Sequence, residues 1–142
     1  MALEAKALYQ QLVVDHGKRP HNHGPMPGAT HEATVSNPLC GDRVTLRLRV
    51  EGDRIVEAKF EARGCMIATA SGSLLTEAAK GRSVEDARGL ADAIDALVGE
   101  GESPSDLGDL EALRGAREFP ARKACVTLPW QALRAALSPS RT

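Results

Sequence analysis

The stretch that most limits what this chain can become is RVTLRLRVEGDRIVEAKFEARG, residues 43–64. Val44, Leu46, Leu48 and Val50 alternate with Thr45, Arg47 and Arg49, the period of a strand buried on one face. Gly52 and Asp53 supply turn chemistry, after which Val56, Ala58, Phe60 and Ala62 alternate with Glu57, Lys59 and Glu61. The pair predicts an antiparallel hairpin whose exposed face sets Arg and Lys against Glu. Upstream, THEATVSN predicts a short additional strand.

The flanking sequence changes period. Leu3, Ala7, Leu8, Leu12 and Val13 predict an amphipathic helix over residues 2–15, stopped by Gly17 and Pro20. After Gly64-Cys65, MIATASGSLLTEAAKG is rich in small residues, which let a neighbouring element approach closely, and ends at Gly81, a C-terminal cap. SVEDARGLADAIDALVGE predicts a helix with Ser83 as N-cap and Asp86 three residues on. An acidic Gly/Ser/Pro loop, GEGESPSDLGD, leads to the short helical pattern LEALRGA. FPARKACVTLPWQALRAAL closes the chain as a helix with Pro120 near its start. Pro129 inside that run predicts either a kink or a fresh helix capped by Thr127. An N-terminal helix, a small three-stranded antiparallel sheet and several helices on one of its faces make an α+β fold. Residues 1–142 fit one domain of ordinary size.

Lys and Arg number 18 against 19 Asp and Glu, so there is no electrostatic footprint for nucleic acid or a membrane surface. No apolar run approaches the ~20 residues that span a bilayer, and the N-terminal stretch lacks a signal peptide's unbroken apolar region. A cytoplasmic location is expected. There an odd count of three cysteines forms no closed disulfide framework.

Each of those cysteines sits at a boundary. Cys40, in NPLCGD, feeds the first hairpin strand; Cys65 lies where the second strand gives way to a helix; Cys125 is near the start of the last helix. A helix N-terminus favours the thiolate. Single intracellular cysteines are mostly small buried hydrophobes. That reading weakens for three together, two of them beside glycine. Three thiolates and the carboxylate of Asp42 would make a four-coordinate site suited to zinc or to iron in a cluster. The spacings of 25 and 60 residues include no C-x-x-C pair to fix the choice.

Read together, LYQQLVVDHGKRPHNHG, NPLCGD and GCMIATASGSLL resemble the opening helix and the first two cysteine motifs of the IscU/NifU-N family of iron–sulfur cluster assembly proteins. DLGDLEALRGAREFPARKACVTLPWQAL is similar to the C-terminal segment of its SufU branch. The resemblance implies that Cys40, Asp42, Cys65 and Cys125 are metal ligands, for Zn2+ or for a transient [2Fe-2S] cluster. It implies that Cys40 accepts persulfide sulfur from a SufS-like cysteine desulfurase and that Arg122 offsets the site's negative charge. Downstream iron–sulfur assembly proteins are the further partners it implies, with the protein acting beside the desulfurase rather than as a stand-alone enzyme. FPARKAC lacks the Leu-Pro-Pro-Val-Lys chaperone motif and the histidine before the last cysteine that mark the IscU branch. That departure points to a zinc-bound sulfur relay, with an IscU-type scaffold and a structural zinc domain as alternatives.

Other residues carry less. Arg43 and Lys123 could also offset charge or be solvated surface cations. His16, His21 and His23 invite a metal reading, but three cysteines and Asp42 already complete four ligands. His31 opens a strand. Ser71 and Ser73 lack a nucleophile elbow and are expected to serve close helix packing. The H-x-E…P-C-x-x-C signature of zinc deaminases does not occur.

Overall fold

The computed structural model describes residue 11 and residues 13–37, 41–64, 66–99, 110, 113 and 120–137, with side chains of the last helix from Lys123 onward. Helix α1 is described over residues 13–18. Strands β1 (His31–Asn37), β2 (Asp42–Glu51) and β3 (Arg54–Arg63) form an antiparallel sheet in that order. Helices α2 (Met66–Ala79), α3 (Val84–Val98) and α4 (Pro120–Leu137) follow. The expected short helix at residues 110–116 falls mostly outside the described residues; Leu110 and Leu113 are buried in the core.

Among the described residues, helices α2 and α4 pack on one face of the sheet. Val44, Leu46, Leu48, Ala58 and Phe60 point inward and are fully buried. Helix α4 packs across β1 and β2, α2 lies against β3, and α3 rests on α4. The opposite face is a lattice of ion pairs: Arg47 bridges Glu32 at 3.2 Å and Glu61 at 2.7 Å, and Arg49 reaches Glu51 and Glu57. Hydrophobic burial on one side and screened charge on the other fix the register, because a one-residue slip would exchange the faces.

In one place the alternation misleads. It predicts that Val56 faces inward, but Ile55 is fully buried and Val56 only partly so. The register explains why: Arg49 pairs with Glu57 and Val50 with Ile55, leaving Val56 as the extra residue of a β-bulge. The bulge shifts the phase of β3 by one residue near the turn. The free edge of β3 is then covered by residues 22–24, where Phe60 N–H donates to the Asn22 carbonyl at 3.0 Å and Gly24 N–H to the Phe60 carbonyl at 2.9 Å. Covering an edge in this way blocks pairing with another chain.

The small residues of α2 do what their size allows. A methyl group on Gly72 would lie 2.7 Å from the Phe60 ring, so the helix backbone rests directly on the sheet. Ser71 donates to the Val126 carbonyl at 2.6 Å and accepts from the Trp130 indole N–H at 3.1 Å, tying α2 to α4. Ser83 caps α3 as expected, accepting from Asp86 N–H at 3.1 Å. Helix α4 runs through Pro129 without restarting. Thr127 therefore caps no new helix; its hydroxyl bonds back to the Ala124 carbonyl at 3.3 Å.

Candidate metal centre

Asp42 opens β2 in phase with Val44, Leu46 and Leu48, so the pleat turns its carboxylate toward the core, where it is 2% exposed. A carboxylate there needs a partner, since an unpaired buried charge is very costly. One partner is Cys125, whose Sγ donates to Asp42 Oδ2 at 3.3 Å across 83 residues of sequence. Cys125 is the sixth residue of α4, beyond the first helical turn, so the dipole expected to favour its thiolate is weak there. It is also part of the apolar core, 8% exposed, as the buried-hydrophobe reading of a single cysteine has it. It is a free thiol.

Cys40 and Cys65 lie outside the described residues, but Asn37, Gly41 and Gly64, close to them in sequence, stand beside Asp42. Asn37 pairs with Asp42 across the β1–β2 ladder, and Gly41 N–H donates to the Asn37 carbonyl at 2.8 Å. Gly64, immediately before Cys65, has φ +126° and sits so close that a Cβ on it would lie 1.9 Å from Asp42 Oδ1. At residue 64 the missing side chain leaves room for the carboxylate. The signal available was the period-2 pattern carried two residues back from Val44, which places Asp42 on the inward face.

The donor set fits zinc. Ligand bonds of about 2.3 Å to sulfur and 2.1 Å to oxygen at a tetrahedral angle hold the two atoms about 3.6 Å apart. The observed 3.3 Å separation is close to that. Asp42 and Cys125 would supply two ligands, and Cys40 and Cys65 are the candidates for the others. Among the described residues alone, no three His, Cys, Asp or Glu side chains converge on one point.

The remaining candidates separate clearly. Arg43 is exposed on the outer face, opposite to the Asp42 carboxylate, and Lys123 is half-buried on α4. The side chain of Arg122 lies outside the described residues. His16 in α1 and the His21 backbone fasten this part of the chain to α2, and His23 fastens it to β3. His16, 8% exposed, places Nδ1 2.6 Å from Ser73 Oγ, and the same oxygen accepts from the His21 backbone N–H at 2.7 Å. The His21 ring lies 4.6 Å from that of His16 at a tilt of 41°, and His23 meets the Phe60 ring edge-on at 5.2 Å. Ser73 is thus a packing and anchoring residue, as expected.

The same anchor has a pH dependence. The Asn22 amide donates to Glu77 at 2.9 Å and holds its carboxyl below the usual value of 4.5, burial opposing and His21 assisting. A depressed carboxylate pKa stabilises the fold above the unfolded value, and that gain is lost as pH falls through the folded value. Glu77→Gln should therefore lower Tm at pH 7, with the difference from the parent protein vanishing as pH drops below 4.5 in thermal scans.

Comparison with known proteins agrees with the fold and the resemblance. The family model of the NifU-like N terminal domain matches residues 8–137. The chain is 43% identical over 128 residues to the zinc-dependent sulfurtransferase SufU of Bacillus subtilis, covering 89% of this chain and 86% of that one. It is 42% identical over 135 residues to the iron–sulfur cluster assembly scaffold protein IscU of Streptococcus pyogenes, covering 94% and 84%. The crystal structure of FiSufU from Fervidobacterium islandicum AW-1 superposes with a TM-score of 0.87 at 29% identity, covering 93% of this chain and 98% of that one. Matched by that family model over residues 8–137 and more than 40% identical to a SufU and an IscU over most of its length, this chain belongs to the NifU-like N-terminal domain family.

Proposed function

We infer that the protein serves iron–sulfur cluster assembly as a sulfur acceptor, taking persulfide sulfur from a cysteine desulfurase at Cys40 and passing it on. The buried contact between Cys125 and Asp42, with Asn37 and Gly64 beside it, supports this reading most directly. Similarity to a zinc-dependent sulfurtransferase over nearly the whole chain supports it independently.

Cys40, Asp42, Cys65 and Cys125 would hold zinc, which would keep the thiols deprotonated near neutral pH without redox chemistry of its own. The protein's residues do the rest. The Cys40 thiolate attacks the outer sulfur of the donor's persulfide; a new S–S bond forms at Cys40 while the donor's S–S bond breaks and the donor leaves as a thiolate. Electrons balance without an added oxidant. Cys40 is suited to this because it lies in the short connection between β1 and β2, next to Gly41, whose φ of +77° permits a tight turn. Cys125 and Asp42, held by α4 and β2, are the fixed half of the site. Arg122, in the first turn of α4, is assigned to charge compensation.

Cys40→Ser tests the assignment. Desulfurase turnover and persulfide labelling, read by mass spectrometry, should fall to background while the far-ultraviolet dichroism stays that of the parent. Loss of the fold together with activity would favour a purely structural zinc site. Persulfide found on Cys65 or Cys125 in the parent protein would move the acceptor role away from Cys40.

A further inference from the structure

We propose that the outer face of the sheet at the Arg43–Arg63 end is a docking surface for an acidic segment of the sulfur-donating partner. This rests on the sulfur-acceptor reading above and adds the surface by which the donor is held. Arg43 and Arg63 are direct partners across the β2–β3 ladder, and both are exposed. Like charges placed opposite each other in an antiparallel pair destabilise a sheet, so the fold gains nothing from this pair. Elsewhere on the same face the arginines are tied to glutamates: Arg47 to Glu32 and Glu61, Arg49 to Glu51 and Glu57. Among the described residues neither Arg43 nor Arg63 makes an ion pair or a side-chain hydrogen bond, and the one acid beside them, Glu61, is committed to Arg47 at 2.7 Å.

Both arginines line a groove of about 430 Å³, together with His23, Thr45 and Glu61. No described helix packs over this face. Its position matters as much as its charge. Arg43 directly follows Asp42, and Arg63 directly precedes Gly64, the residue pressed against the Asp42 carboxylate. The inward half of this sheet end is therefore the candidate metal centre, and the outward half is the cationic pair. A macromolecule that brings a persulfide to the Cys40 loop meets these arginines on arrival.

Complementary chemistry identifies the occupant. Arginine forks bind carboxylates in a bidentate manner. A lone anion on exposed arginines would be held weakly by screened charge, whereas several carboxylates on one partner segment engage both arginines together and speed encounter.

The experiment measures stimulation of the cysteine desulfurase of the same organism as a function of this protein's concentration, for the parent and for the Arg43→Glu/Arg63→Glu double variant, with zinc content determined for each. The half-saturating concentration should rise at least roughly tenfold in the variant, with the maximal rate and zinc content retained. The parent should lose affinity between roughly 0.05 and 0.3 M salt, and the variant should show little of that dependence. An Arg43→Gln/Arg63→Gln variant should fall between the two. An unchanged half-saturating concentration with normal stimulation would overturn the docking surface and leave the sulfur-acceptor reading intact. Absence of stimulation by the parent would overturn both. Loss of zinc in the Gln variant would assign the arginines to the metal centre and overturn the proposal.

Discussion

Gly64→Ala should empty the candidate metal centre without altering a single ligand. The added methyl would stand 1.9 Å from Asp42 Oδ1, 2.6 Å from its Cγ and 3.0 Å from its Cα. The last of these is backbone, so rotating the carboxylate away does not relieve the contact fully. Retreat of Gly64 is opposed by the ladder, in which the preceding residue, Arg63, pairs with Arg43. The backbone at φ +126° adds a second cost for any residue with a Cβ. Overpacking and backbone strain together amount to about 3 kcal/mol or more, which for a domain of this size is a Tm lower by roughly 10 °C. Zinc content after purification, measured by atomic emission, should fall sharply, because Asp42 no longer stands beside Cys125. Gly81→Ala supplies the control. Residue 81 also has positive φ, +85°, but a Cβ there meets nothing within 4 Å. It should lose stability and keep the metal. Parent-like zinc content in Gly64→Ala would show that the position of the Asp42 carboxylate does not depend on the glycine.

That glycine also marks where the sequence could be read and where it could not. The hairpin was legible because one face of it is buried and the other charged, which writes a period of two into the chain, and the cap at Ser83 was legible because capping is local. The phase slip at Val56 was not, since a bulge inserts one residue without leaving a compositional trace. Of the site, the ligand types and Asp42 stood out through the family's motifs rather than through spacing, with 83 residues separating the two described members of the contact. What no local pattern conveys is mutual fit. Gly64 reads as an ordinary turn residue until the carboxylate that occupies its missing side chain is known. Ser71 reads as a small helix-packing residue until its two partners on α4 are seen.

Those partners give the second large effect. Ser71 is fully buried and serves two groups on α4 at once, donating to the Val126 carbonyl and accepting from the Trp130 indole N–H. Trp130 is also fully buried, so with Ser71→Ala its N–H loses its partner in a place where water does not replace it. An unsatisfied buried donor costs about 1–3 kcal/mol, and the carbonyl one residue from Cys125 loses a bond as well. Ser71→Ala should thus destabilise the protein by about 2–3 kcal/mol in denaturant titrations. The site should feel it too, because Pro129 has no N–H to offer the Cys125 carbonyl and this segment of α4 is held partly from outside, by α2. Trp130→Phe removes the stranded donor along with the ring nitrogen, so the double variant Ser71→Ala/Trp130→Phe should be clearly less destabilised than the sum of the two single changes. A coupling of about 1 kcal/mol or more is expected from the cycle. Strict additivity would mean that the Ser71–Trp130 hydrogen bond contributes nothing of its own, leaving the bond to the Val126 carbonyl as the tie between α2 and α4.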